Sequence, residues 1–262
     1  MALPGAIDES SGVALSLRDP SVFWTHNDDG SVLFAVDSAG ALLDSRPVRP
    51  VLRDWEDLTV APCATHGSCV YMADTGDNAE RRPAGSIRVV RVAEPALPMA
   101  DGPLQAEVFP LRLPDGPRDI EAMFILPEER LYLVTKGRNH GITVYRYPGE
   151  LRPDTVTLEE IQRLTDVAQP LANQVTGAAA LVGSAGVVAI RTYQTMAFYR
   201  MESGALTPLP DGLVNLRTLQ EAQGEAVALG PDGLVVLTSE AGFFGTPGSM
   251  NLLRCRPDSS VG

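Results

Sequence analysis

The apolar residues of this chain come in pieces of five or six: "SVLFAV" (31–36), "IRVVRV" (87–92), "LYLVT" (131–135), "ITVYRY" (142–147) and "LVVLTS" (234–239). They are cut apart by 24 glycines and 21 prolines. Pieces this short, rich in β-branched residues and bounded by turn formers, predict strands rather than helices. The pattern predicts an all-β protein.

Within it one unit recurs. "RDWEDLTV" (53–60) and "RDIEAMFI" (118–125) both run Asp, an apolar residue, Glu, and then an apolar strand. With the register set on Glu56 and Glu121, the same place is taken by Ser11 in "ESSGVAL", Thr176 in "QVTGAAAL" and Glu225 in "QGEAVAL". The separations of 45, 65, 55 and 49 residues suit one four-stranded blade each, so five anchors predict a five-bladed β-propeller with four antiparallel strands per blade. The blades are expected at about 9–50, 54–113, 119–167, 174–219 and 223–256, in one domain over 1–262. The last shows three strands, and "ALPGAID" (2–8) is expected to supply the fourth, closing the ring and removing two exposed sheet edges. The stretch "DTVTLEEIQRLTDV" (154–167) has a helix-like pattern and reads as an inter-blade excursion, with an outer strand as the alternative.

Two polar layers follow from the repeat. The residue two before each anchor is also polar: Glu9, Asp54, Asp119, Gln174 and Gln223. Because strand side chains alternate with period two, each blade is expected to offer the axis two stacked polar groups. About 15 residues after each anchor comes a second polar cluster, "THNDDG" (25–30), "ADTGDN" (73–78), "TKGRN" (135–139), "RTYQ" (191–194) or "SEAG" (239–242). An inner strand starts on one face of the disc and the second strand returns to it, so both clusters are expected on one rim.

Composition narrows the partners. A formal net charge of −12 opposes a nucleic-acid backbone and suits a cation. No apolar run approaches the roughly 18 residues of a membrane span, and any signal peptide is expected to have been removed already. Cys63 and Cys69 in "PCATHGSC" are spaced to staple a hairpin, which would place the protein in a secreted or periplasmic compartment; two unrelated buried thiols are the other reading, and Cys255 is left over.

The stretches "HNDDG", "DWEDLTV", "ADTGDNAERR", "PDGPRDIEAM", "VTGAA", "AIRTY" and "QGEAVA" resemble a widespread family of exported bacterial propellers whose members are mostly uncharacterised. That resemblance implies the fold and export. The ring of Ser, Glu, Glu, Thr and Glu is also similar, in arrangement only, to the centre of the calcium-activated nucleotidases (apyrases), which are five-bladed and hold one calcium ion on the axis.

Three glutamates converging in a narrow channel repel one another unless protonated or neutralised. Ca²⁺ takes 6–8 oxygens and accepts hydroxyl and carboxylate ligands in irregular geometry, so Ser11, Glu56, Glu121, Thr176 and Glu225 form a candidate calcium site, ahead of Mg²⁺ or Na⁺. A hydrogen-bonded plug of the channel is the alternative. Glu9, Asp54, Asp119, Gln174 and Gln223 would be outer ligands or hold ordered water. Asp57 is expected to face away from Glu56 and to bind backbone amides at a blade junction. His26, His66 and His140 are too scattered for a zinc site. "DTGDN" lacks the spacing of an EF-hand loop, and "GSAG" (183–186) is a hairpin turn rather than a phosphate-binding loop.

On the rim, Lys136 and Arg191 suit an anionic ligand such as phosphate, and His26 or Asp74 would act as general base toward metal-bound water. The competing reading pairs these charges with one another to pin the loops. Two classes of function remain: a calcium-riveted binding or scaffold module for an anionic small molecule or a cell-surface protein or glycan, and a metal-dependent hydrolase of phosphate esters, nucleotides or a lactone.

Overall fold

The structure, a computed structural model, describes residues 1–184, 186–242 and 245–255. Blade 1 is built from β1 (Ser10–Leu15), β2 (Val22–Asn27), β3 (Val32–Asp37) and β4 (Leu42–Arg49). Blade 2 contains β5 (Asp57–Cys63), β6 (Gly67–Asp74), β7 (Ile87–Ala93) and, after the short β8 (Leu104–Gln105), β9 (Glu107–Arg112). Blade 3 contains β10 (Ile120–Leu126), β11 (Arg130–Thr135), β12 (Thr143–Arg146) and, after the short β13 (Val156–Thr157), β14 (Glu159–Arg163). Blade 4 runs through β15 (Val175–Ala180), β16 (Val187–Thr192), β17 (Thr195–Glu202) and β18 (Ala205–Asn215). Blade 5 has β19 (Gln223–Leu229), β20 (Leu234–Glu240) and β21 (Ser249–Arg254). Arg256, where the fifth blade was expected to end, and Ala185 of the "GSAG" turn lie outside the described residues.

Successive strands of a blade pair antiparallel, giving the expected all-β, five-bladed propeller. The two short strands pair parallel with the preceding blade, β8 with β4 and β13 with β9, so each covers an outer edge that would otherwise be open.

The stretch 154–167 is the outer-strand alternative, not an excursion. Val156 and Leu158 point into the core between blades 2 and 3, and Ile161 packs against the core between blades 3 and 4. A register shift in the β12–β14 pairing makes Ile161 an extra residue, since Val144 faces Gln162 and Tyr145 faces Glu160. That bulge stretches a spacing of two to three, which is why the segment imitates a helix.

Five apolar cores sit one at each junction of neighbouring blades. Trp24, Leu58 and Met72 fill the junction of blades 1 and 2; Tyr71, Met123 and Tyr145 that of blades 2 and 3; Phe124, Tyr132 and Val188 the next. Met196, Val227 and Leu237 join blades 4 and 5. The ring closes through the fifth core, where Leu3 and Ile7 pack with Val13 and Phe23 of blade 1 and with Val236 and Met250 of blade 5. Closure by the amino terminus is as expected, although pairing is short: Ala2 bridges Ser249, and the Leu3 N–H donates to the Gly248 carbonyl. Cys63 and Cys69 form a disulfide across the β5–β6 turn, and Cys255 is a free thiol.

Candidate metal centre at the axial mouth

Four of the five inner strands carry a bulge at the anchor. Ser10 faces Asn27 and Gly12 faces His26, so Ser11 is the extra residue, as Glu121 is in β10 and Thr176 in β15. In β19 the shift falls between Gly224 and Val227. In blade 2, Ala73 accepts the Glu56 N–H and also pairs with Asp57. A bulge leaves one residue unpaired and re-aims its side chain, and here it does so at the same place in blades 1, 3, 4 and 5. Because the start of each inner strand faces the end of the second strand, as Ile120 faces Thr135 and Gln223 faces Glu240, anchors and second polar clusters do share one rim.

All five anchors are buried, but they divide by role. The Ser11 hydroxyl donates to the Glu56 carbonyl at 2.9 Å and the Thr176 hydroxyl to the Glu225 carbonyl at 2.8 Å, so each stitches its blade to the next anchor. Thr75 does the same for blades 2 and 3, donating to the Ile120 carbonyl at 3.0 Å. The carboxylates gather: oxygens of Glu56 and Glu121 from the first layer and Asp119 from the second lie within 4.8 Å of one another. Glu225 stands outside this trio, its Oε1 accepting from Gln223 Nε2 at 2.8 Å.

Lys136 reaches into the trio, its Nζ donating to Glu121 Oε1 at 2.7 Å. Burial works against this ammonium, but Glu121, Tyr193 and Asp119 outweigh it and hold its pKa above the usual lysine value. On the other side, burial and Asp119 push Glu121 up to about 8 despite the pull of Lys136. Burial also raises Glu56 well above the carboxylate range, with Glu121 and Asp54 adding to it, and raises Glu225 with help from Glu121 and Glu240. One ammonium against three carboxylates leaves the pocket short of positive charge. Asp119 Oδ1 accepts the Asp77 N–H at 2.9 Å, while Asp119 Oδ2 is buried without a partner. A Cβ at Gly76 would meet Glu56 Oε1 and the Asp54 carboxyl, so a larger residue there would displace these side chains.

The rest of the second layer is uneven. Gln174 is buried, with Nε2 donating to the Gln169 carbonyl at 3.2 Å and Oε1 unpartnered. Asp54 is half-buried, whereas Glu9 and Gln223 are exposed. Hydrogen bonding to Asp28 raises Glu9 to about 7, and burial raises Glu240 to about 7.

Asp57 departs from its expected direction. Its expected amide partners are present: Oδ1 accepts from Leu58 N at 2.8 Å, and Oδ2 from Met123 N at 2.8 Å and Ala178 N at 3.2 Å. Met123 and Ala178 belong to the inner strands of blades 3 and 4, so the side chain reaches across the axis to them. Glu56 lies just before β5, so strand alternation does not set the direction of Asp57 relative to it. The residues after the other anchors are Gly12, Ala122, Gly177 and Ala226, small enough to leave room for one axial carboxylate.

The expected catalytic residues do not gather. Asp74, fully buried, binds Arg82 at 3.1 Å and Arg88 Nε at 2.8 Å, and accepts the backbone N–H groups of Arg53 and Asp54. Arg191, also fully buried, donates to the carbonyls of Ala226 at 2.6 Å and Thr238 at 3.0 Å and pairs with Glu221, stapling blade 4 to blade 5. Its guanidinium occupies the space a Cβ at Gly224 would need. His26 lies against Gly12, packs on Trp55 with ring centroids 4.0 Å apart and the rings tilted by 32°, and bonds the Asn27 carbonyl through Nδ1. Burial lowers its pKa to about 4, so it is neutral near pH 7. Lys136 alone of the four touches the carboxylate trio. The partners Arg82, Arg88 and Glu221 were not singled out from the sequence. "ERR" (80–82) sat inside a quoted motif and was the available signal.

No family model and no curated protein matches the chain. Among solved structures it is similar to the PQQ-bound form of an aldose sugar dehydrogenase from Streptomyces coelicolor, at 10% identity over 96% of each chain with a TM-score of 0.56. It is also similar to a glucose dehydrogenase, at 12% identity over 98% of this chain and 99% of that one, with a TM-score of 0.54. At such identities the likeness is one of fold: the chain is a β-propeller.

Proposed function

We propose that the protein is an exported calcium-binding propeller whose polar mouth serves as a binding surface. The observation that carries this reading is Asp119 Oδ2, an unpartnered carboxylate oxygen inside a buried trio that has one lysine for counter-charge. A buried polar atom without a partner costs about 1–3 kcal/mol, and more when charged, so the group fits a bound cation. Glu56, Asp119 and Glu121 would hold the ion, with Ser11, Thr176 and Glu225 completing the ring. The all-oxygen donor set and its uneven disposition suit Ca²⁺ better than Mg²⁺, which demands near-octahedral geometry. Export is supported by the Cys63–Cys69 disulfide. A binding role is supported by Asp74 and Arg191, whose charges are spent holding the structure together. The partner class is an anionic small molecule or a cell-surface protein or glycan.

Thermal unfolding of chelator-treated, verified metal-free protein tests the reading. Ca²⁺ should raise the Tm more than Mg²⁺, since a ligand that binds only the folded state at a hundredfold excess over Kd stabilises it by about 2.7 kcal/mol. Glu121→Gln and Asp119→Asn should blunt the response. An unchanged Tm on adding Ca²⁺ would return the ring to a hydrogen-bonded plug. Calcium-dependent turnover of phosphate esters or lactones would displace the binding role in favour of hydrolysis.

A further inference from the structure

Beside the axial mouth, where blade 4 meets blade 5, a cleft of about 370 Å³ opens on the polar face. Its volume lies in the range of about 300–1,000 Å³ usual for small-molecule sites. One wall is Tyr193 and Gln194, from the turn after β16; the opposite wall is Arg217 and Gln220, after β18, and the segment 221–224 that leads into β19.

The charges in this cleft are largely answered by the protein. Glu221 is held by Arg191 through one oxygen and by Asn251 Nδ2 at 3.1 Å through the other. Arg217 Nε donates to Gln194 Oε1 at 2.6 Å. Arg217 is left without an acidic partner among the described residues, and the other free groups are polar and uncharged. The Tyr193 hydroxyl and the Gln220 side-chain amide make no hydrogen bond to a described residue, and Gln194 keeps its NH₂ group free. Beside them lie the half-buried Tyr193 ring and Leu171, which is 66% exposed. Free groups that both donate and accept, set next to an aromatic face and an apolar side chain, match a ligand with many hydroxyls and one C–H face. The Arg191–Glu221 pair fixes the wall formed by Glu221, next to Gln220.

We infer that the cleft between blades 4 and 5 binds a saccharide unit through Tyr193, Gln194 and Gln220. This rests on the binding-module reading of the polar face and names the partner's chemistry, but its contacts do not include the carboxylate trio. It is tested on the whole protein by saturation-transfer NMR and calorimetry with glucose, galactose, N-acetylglucosamine and their β-linked disaccharides. Adenosine and tetra-alanine represent other polar classes. At least one saccharide should bind with a millimolar or tighter Kd, and chelation should change that Kd by less than about twofold. Tyr193→Phe and Gln220→Ala should each weaken binding about threefold to tenfold, the loss of one or two hydrogen bonds, with Tm unchanged. The assignment is overturned if no saccharide binds, if neither variant weakens binding, or if adenosine or the peptide is preferred. Loss of saccharide binding on chelation would place the ligand at the axial ring and also overturn it. Failure of the calcium reading shows separately, as a Tm that ignores Ca²⁺ in the absence of sugar.

Discussion

Glu121 ties the charge of the axial mouth to the stability of the fold. Its carboxyl, ordinarily near 4.5, is raised to about 8 by burial and by Asp119. The folded state therefore holds a proton that the unfolded chain has released, and stability falls as pH rises through that interval. His26 acts in the opposite sense: lowered from 6.5 to about 4 by burial, it favours the unfolded chain as pH drops through that lower window. Between pH 6.5 and 8.5 only the carboxyl effect of the two remains. Metal-free protein should lose stability across this window, Ca²⁺ should remove part of the loss by replacing the proton, and Glu121→Gln should make the slope shallower while Glu56 and Glu225, also raised, keep part of it. Urea midpoints at several pH values are the measurement. A midpoint that rises toward pH 8.5 in metal-free protein would contradict the assignment.

The bulge is the element that builds the site, and it explains which parts of the site were legible in advance. Anchors recur in the sequence because each blade needs a polar side chain at this place, at a bulge in four of the five. The direction of Asp57 was not legible, because Glu56 precedes β5 and period-two alternation holds only within a strand. An extra residue at Ile161 disguised β14 as a helix. The β5–β6 hairpin offers an independent check on its element. Its disulfide joins Cys63 and Cys69 across the turn, and its removal by Cys63→Ser with Cys69→Ser should cost about 2–3 kcal/mol, toward the low end for disulfides because the loop is short. Thiol titration of the denatured, unreduced protein should find one free cysteine, Cys255. A count of three would remove the bridge and the main support for export.

At the scale of the whole ring, stability depends on one junction that no single blade supplies. Ile7 is fully buried between blades 5 and 1 although it belongs to neither sheet. Ile7→Ala should destabilise by about 2–5 kcal/mol, as usual for a buried aliphatic truncation. Amide exchange should accelerate together in β1 and β21, the strands on either side of the seam. A comparable loss spread evenly over all five blades would mean that closure is not the weak point. The calcium response proposed above belongs to this scale as well, since Glu56 comes from blade 2 and Asp119 and Glu121 from blade 3, while the remaining anchors come from blades 1, 4 and 5.

By itself the sequence determined the strand content, the fivefold repeat and the polar character of the axis, because turn residues, apolar alternation and a recurring anchor are local properties that any copy of the blade must carry. It also placed Cys63 and Cys69 on the two arms of one hairpin. Tertiary structure alone decided how the charges are used. Arg191 and Glu221 are 30 residues apart and meet only when blades 4 and 5 pack. Asp74 is neutralised by arginines 8 and 14 residues later, through a loop whose path alternation does not predict. Long polar side chains reach partners across blade junctions, and burial sets their protonation. Both depend on distances between segments far apart in the chain, which a pattern of neighbouring residues does not encode.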